Sequence, residues 1–213
     1  MSQLEFKTSA ARFFSWLYSL PSLDSPFPGL IEIRVRFPAS GEIKRTWIRT
    51  PGEYIIWTTS SYRMFSPSGE FGAPDVYYGV CCHSGRDGTK ATVTHIPALW
   101  LDIDVLPTLT MDTIFKVMGI PDPSLVLSSG RGWHCYWRFR DPLPVGENRF
   151  LFEMLMKALA VRTGADVAAT DLSRILRVPG TVNQKNGKTV LVLNRTAEVF
   201  TLDQLAAAIL RPD

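Results

Sequence analysis

The run "LWLDIDV" (99–105) constrains this chain more than any other stretch. It reads as a β-strand that is apolar except for Asp102 and Asp104. Side chains alternate along a strand, so Trp100, Asp102 and Asp104 take one face and Leu101, Ile103 and Val105 the other. Carboxylates two residues apart on one face stand about 7 Å from each other. On a half-buried sheet they repel and lose hydration. A divalent cation between them reverses that balance, because hard ions such as Mg²⁺ take carboxylate and phosphate oxygens as ligands. An edge strand with a wet acidic face is the other reading of the same residues, although the flanking Leu99 and Trp100 favour burial.

A second constellation is "SSGRGWHCYWRF" (128–139), a Gly-rich turn opening a strand. On that strand His134, Tyr136 and Arg138 share one face. The Ser and Gly residues leave backbone N–H groups open to an anion, and His134 can donate to a phosphate oxygen. A plain hairpin with a core histidine also fits. A third is "GADVAATDLSRILRVPGTVNQKNGK" (164–188). Asp171 reads as the N-cap of a short helix that Pro179 stops, with Arg174 and Arg177 on nearby faces. Asp166, between Ala165 and Val167, has no capping duty in this reading. That makes it the better candidate for a third carboxylate, with Asp171 its rival. Asn183, Lys185 and Lys188 follow in a hairpin marked by Asn186-Gly187. Charges on a solvated helix face are the alternative. Together these are the parts for handling a triphosphate: carboxylates to hold two metals and cations to neutralise phosphates.

Around these motifs the chain alternates between elements. "LIEIRVRF" alternates strictly, and "IKRTWIRT", "GEYIIWTTS" and "DVYYGVCCH" supply further strands. Helices are expected over "TSAARFFSWLYSL" from a Thr or Ser cap, "TMDTIFKVMG" from Thr110, and "ENRFLFEMLMKALAVRTG" up to Gly164. A last helix, "TLDQLAAAIL", opens with Thr201 and Gln204 as a capping box. Strands dominate to about residue 95 and mix with helices afterwards, which predicts an α+β chain of two lobes, 1–95 and 96–213, sharing one cleft. At 213 residues the chain can bury a sizeable core. No apolar run approaches the roughly 20 residues that cross a bilayer, and the start lacks a signal-peptide cleavage site. Three cysteines without a CxxC fit a reduced, cytoplasmic setting, and "CCH" (81–83) is a poor match to zinc spacing. The net charge of +3 is too mild to identify a nucleic-acid partner, but basic residues cluster at 34–50 and 174–188.

These three motifs, in this order, resemble those of the archaeo-eukaryotic primase superfamily, in particular the primase-polymerases of phages, plasmids and other mobile elements. "DID" (102–104), "SGRGWHCYW" (129–137) and "ADVAATDLSRILRVPGTVNQK" (165–185) carry the resemblance. It implies an N-terminal α/β lobe and an RRM-like catalytic lobe forming one catalytic core. It further implies that Asp102, Asp104 and Asp166 bind two Mg²⁺ or Mn²⁺ ions, with no organic cofactor. His134 would contact the triphosphate of the incoming NTP or dNTP. Ser128, Ser129, Gly130, Arg131, Arg174, Arg177 and Lys185 carry over more loosely as nucleotide contacts. Members often have Ser where this chain has Gly132. The expected activity is DNA-templated primer synthesis and extension, on a single-stranded template tracked by Arg34, Arg36, Lys44, Arg45 and Arg49 with Trp47 or Trp57 stacking on bases, a solvated sheet face being the equal alternative for those basic residues. A helicase or helical primase module in the same or another chain is an expected partner, and a membrane is not. Two rival functions use the same residues: a non-catalytic nucleotide- or DNA-binding replication module, and a metal-dependent phosphohydrolase.

Overall fold

Strict alternation makes "IEIRVR" the organising strand of a first sheet. In a computed structural model that describes residues 3–61, 73–104 and 111–211, β1 (Ile31–Arg36) pairs antiparallel with β2 (Ile43–Ile48) on one side and β3 (Asp75–Gly79) on the other. The fourth strand, β8 (Ile175–Arg177), arrives from the far end of the chain and pairs antiparallel with β3. Ile31, Ile33 and Val35 are buried, and Ile48, Val76, Tyr78 and Leu176 join them on that face. Helices α1 (Gln3–Leu17) and α2 (Pro51–Ser60) pack together on this layer, with Phe14 edge-on to both Tyr54 and Tyr78.

The second sheet has the order β11-β6-β7-β5-β4 with every pair antiparallel. Its strands are β4 (Cys82–His83), β5 (Val93–Ile103), β6 (Leu125–Ser128), β7 (Trp133–Pro144) and β11 (Leu191–Arg195). Helix α4 (Arg149–Thr163) covers it and ends at Gly164 in the left-handed conformation, as the sequence predicts. Two short helices complete the set, α3 (Met111–Val117) and α5 (Leu202–Ile209), the latter with its Thr201–Gln204 capping box formed. Phe13 of α1 lies edge-on to Tyr78 of the first sheet and Tyr136 of the second, whose hydroxyls hydrogen-bond at 2.9 Å. Among the described residues no helix is long and apolar enough to cross a membrane.

Four local expectations need correction. "GEYIIWTTS" is helix, not strand. Thr50 accepts the Glu53 N–H, the Glu53 carboxylate accepts the Arg49 N–H, and Pro51 opens the first turn, so start signals override a β-branched, aromatic run. "DVYYGVCCH" is divided between β3 and β4. The first helix begins at Gln3, well before Thr8. The helix expected after Asp171 is absent: a 3₁₀ turn (Val167–Thr170) precedes β8, because strand β3 supplies the hydrogen-bond partners that make 175–177 extended. The expected Thr110 cap lies outside the described residues.

Candidate active site

The site grows from the register of β5 against β7. Asp102 stands directly opposite His134, and Trp100 opposite Tyr136. Opposed residues of an antiparallel pair share a face, so these four side chains point the same way. Trp100 and Tyr136 are fully buried, and the Trp100 indole N–H donates to the Ala169 carbonyl at 2.9 Å. The strand ends at Ile103, so the alternation carries Asp102 into the sheet and leaves Asp104 just beyond it, exposed.

The third segment is brought to this strand by its backbone. The Asp166 N–H donates to the Asp102 carbonyl at 3.0 Å. Arg174 then lies between the two acids, one guanidinium nitrogen being 3.5 Å from Asp102 Oδ2 and 3.7 Å from Asp166 Oδ2. Asp166 also caps the 3₁₀ turn, Oδ1 accepting the Ala168 N–H at 2.8 Å, contrary to its expected freedom from capping. Asp171 caps no helix. It accepts from the backbone and hydroxyl of Ser173 and pairs with Lys90 at 2.8 Å.

Electrostatics follow from burial. The Asp102 carboxyl titrates above the usual range because it is desolvated; Arg174 opposes that shift and Asp166 adds to it. His134 is buried, and desolvation, reinforced by Arg177 and Arg174, pushes its pKa down to about 3. Its Nε2 stands 3.6 Å from Asp102 Oδ1, a contact of a neutral imidazole with a carboxylate rather than an ion pair. Its buried Nδ1 has no hydrogen-bond partner among the described residues.

The Gly-rich turn is tightly made. Ser129 N–H donates to the Gly132 carbonyl at 2.9 Å, and Gly132 N–H donates back to Ser129 Oγ at 3.2 Å. A Cβ on Gly132 would come within 1.7 Å of the Ile103 carbonyl oxygen. No serine fits there on this backbone, and the hydroxyls of Ser128 and Ser129 are already acceptors, the former of the Gly130 N–H at 3.4 Å.

Asp102, Asp104, Ser129, Arg131, His134, Arg174, Arg177 and Lys185 line one cavity of about 300 Å³. Ser128 and Gly130 line the adjoining cleft, and Asp166 reaches the group through Arg174. Arg177 is held on Asp75 and stacks over Tyr77 at 4.8 Å. Tyr77 and Asn183 also line the cavity and were not anticipated as site residues. Asn183 stands inside the quoted third motif, so its position was the available signal; nothing in the sequence marked Tyr77. Of the residues expected along a template, Arg34, Arg36, Arg45 and Trp47 share the outer face of the first sheet by register. Lys44 alternates to the other face, and Trp57 packs partly buried against the core.

Two antiparallel sheets meet at the cluster of Asp102, His134 and Arg174, and solved primase domains share this fold. The AEP domain of the cyanophage S-2L primase-polymerase matches it with a TM-score of 0.70 at 18% identity, over 95% of this chain and 97% of that one. The catalytic domain of primase RepB′ in complex with initiator DNA matches with a TM-score of 0.63 at 17% identity, over 95% and 93%. Residues 85–209 match the family model of the RepB DNA-primase N-terminal domain, and the chain belongs to that family. A replication protein of Clostridium perfringens is 27% identical across 53% of this chain and 30% of its own length, so the chain spans about a third of that relative.

Proposed function

We propose that this chain is the catalytic core of a primase-polymerase, which joins nucleotides on a single-stranded DNA template to make and extend primers. The observation that carries the reading is the convergence of Asp102 and Asp166 on one cation beside buried His134. In the reaction the acceptor 3′-oxygen bonds to the α-phosphorus of an NTP or dNTP. The bond from that phosphorus to the β-phosphate bridge breaks, pyrophosphate leaves, and the hydroxyl proton passes to water.

Asp102, Asp104 and Asp166 offer hard oxygen donors, the set that suits Mg²⁺ or Mn²⁺. Among the described residues no three acidic, His or Cys side chains are already gathered as a cage. The fit lies instead in the donor chemistry and in the nearness of Asp102 and Asp166 to one Arg174 nitrogen. Bound there, two such ions supply charge stabilisation to the attacking and leaving oxygens. The chain's own residues do the rest. Arg174, Arg131 and Lys185 neutralise the triphosphate, with Ser128, Ser129 and Gly130 shaping its seat and Arg177 fixed by Asp75 at its edge. Neutral His134 presents a ring nitrogen to a phosphate oxygen without carrying a charge. Residues 1–95 serve as the template side, across the outer face of the first sheet, and a helicase or helical module completes priming.

The test is a primer-free assay on single-stranded DNA with labelled NTPs and dNTPs, with Mg²⁺ or Mn²⁺. Template-dependent chain growth is expected. Phosphate release without growth would instead mark a phosphohydrolase, and DNA binding without either would mark an accessory module.

A further inference from the structure

Arg174, on which two acids converge, is supported differently on its two sides along the chain. Downstream the support is sheet. The Arg174 carbonyl accepts the Val80 N–H at 3.2 Å, and β8 pairs with β3 from the next residue on. Further along, in the hairpin of β9 (Val182–Asn183) and β10 (Lys188–Thr189), the Gln184 N–H donates to Asp75 Oδ1 at 2.9 Å. Upstream the support is a turn over residues 171–174, closed by the Arg174 N–H donating to the Asp171 carbonyl at 2.8 Å.

We propose that Lys90 is a positioning residue for nucleotide transfer: through Asp171 it holds the turn from which Arg174 reaches Asp102 and Asp166. That role rests on the polymerase reading, in which Arg174 meets the triphosphate, and extends it to a residue that does not line the cavity.

The two oxygens of Asp171 divide the work. Oδ1 shapes the turn, accepting the N–H and the hydroxyl of Ser173 at 2.8 and 2.7 Å. Oδ2 ties the turn to another element, standing 2.8 Å from Lys90 Nζ. Lys90 is itself set in place. It opens a 3₁₀ turn (Lys90–Thr92) that leads into β5, the strand of Asp102. Arg149, the first residue of α4, donates to the carbonyls of Lys90 and Val93, the latter at 3.2 Å. Glu153, on the next turn of α4, lies 3.6 Å from the same ammonium. Lys90 therefore joins the start of β5, the helix α4 and the turn that delivers Arg174.

An ion pair whose lysine is 50% exposed adds little to stability. What it fixes is geometry. The Arg174 guanidinium stands 3.5 and 3.7 Å from its two acids, and Nε is buried with no hydrogen-bond partner among the described residues. A displacement of the turn by about 1 Å would take that charge off its targets, and an error of this size can cost about 10²-fold in transfer.

Lys90→Met, Lys90→Arg and Asp171→Asn test the role, each alone and combined with Arg174→Met. Asparagine keeps an oxygen for Ser173 and loses only the charge that faces Lys90. Each of the three alone should leave the melting temperature within about 2 °C of the wild type. The Nε–H resonance of Arg174, identified by its loss in Arg174→Met, reads the turn without nucleotide. It should shift or broaden in Lys90→Met and Asp171→Asn and return in Lys90→Arg. Calorimetry with a dNTP and Mg²⁺ should show affinity about tenfold weaker in Lys90→Met, restored to within about twofold in Lys90→Arg. In the Arg174→Met background Lys90→Met should cost nothing further, because the lysine acts through that arginine. An unchanged resonance in both neutral variants, or a Lys90→Met loss that persists in full without Arg174, overturns the proposal. A wild type that incorporates nothing while the resonance responds as expected overturns the polymerase reading and leaves the Lys90–Asp171 tie standing.

Discussion

The backbone N–H of Asp166 donates to the backbone carbonyl of Asp102, so two acids 64 positions apart are registered by the main chain and not by their own side chains. That registration therefore does not depend on their carboxylates. Asp102→Asn and Asp166→Asn should each reduce nucleotide incorporation by about 10³-fold or more, the scale of several kcal/mol of lost charge stabilisation. The Asp102 carboxyl titrates high in the folded chain, so its ionisation costs stability as pH rises above its ordinary value. Asp102→Asn should hold or gain melting temperature at pH 7, with the gain shrinking on acidification. A calorimetric pH series reads both.

Arg174 is the cation that both acids face. Arg174→Met leaves two neighbouring carboxylates unmatched and should lower the melting temperature by about 2–4 °C in chelator. Millimolar Mg²⁺ should restore the loss, and should raise the melting temperature of the variant more than that of the wild type.

Gly132 admits no side chain, since a Cβ would reach the Ile103 carbonyl, one residue from Asp102. Gly132→Ala and Gly132→Ser should each cost about 3 kcal/mol or more in urea denaturation, because the clash is with backbone that must move. A serine at 132 that left both stability and activity intact would refute this account of the departure from the family pattern.

Glu32 is almost wholly buried beneath the outer face of the first sheet, where Arg34 and Arg45 each donate to Oε1 at 2.7 Å. Burial alone would raise its pKa, but the two guanidinium groups outweigh that and hold it below the usual range. Its contribution to stability is therefore present above its ordinary value and lost as pH falls through the depressed one. Glu32→Gln should cost about 1–3 kcal/mol at neutral pH, with a wild-type advantage that vanishes in acid.

The same face should carry the template. Arg36→Ala is expected to reduce the slope of log affinity against log salt for single-stranded DNA by about 0.7, one phosphate's share. Trp47→Ala should weaken binding by about 1–3 kcal/mol, as loss of a stacking platform does. Filter binding across a salt series separates the two effects.

Period-two patterning made β1, β5 and β7 legible, and with them the shared face of Asp102 and His134. Caps made α5 and the end of α4 legible. Reading failed where tertiary pairing set the conformation. Residues 175–177 carry no strand pattern of their own and are extended because β3 needs a neighbour. Residues 51–60 have strand-like side chains, yet Thr50, Pro51 and Glu53 start a helix, and those local signals carried more weight than composition. At the site, side-chain chemistry pointed to the acids and cations. Tyr77 comes from the other sheet, and only the register of β3 with β8 delivers it to the cavity.

The placement of β8 has an evolutionary corollary. Because the first sheet borrows its last strand from residues 175–177, a break near residue 95 would leave β3 with an open edge, part Arg177 from Asp75 and take Tyr77 out of the cavity. Neither half would inherit a finished sheet or a finished site. Inheritance of such a core is expected to be all or none, because a cut inside it costs a strand and an ion pair together.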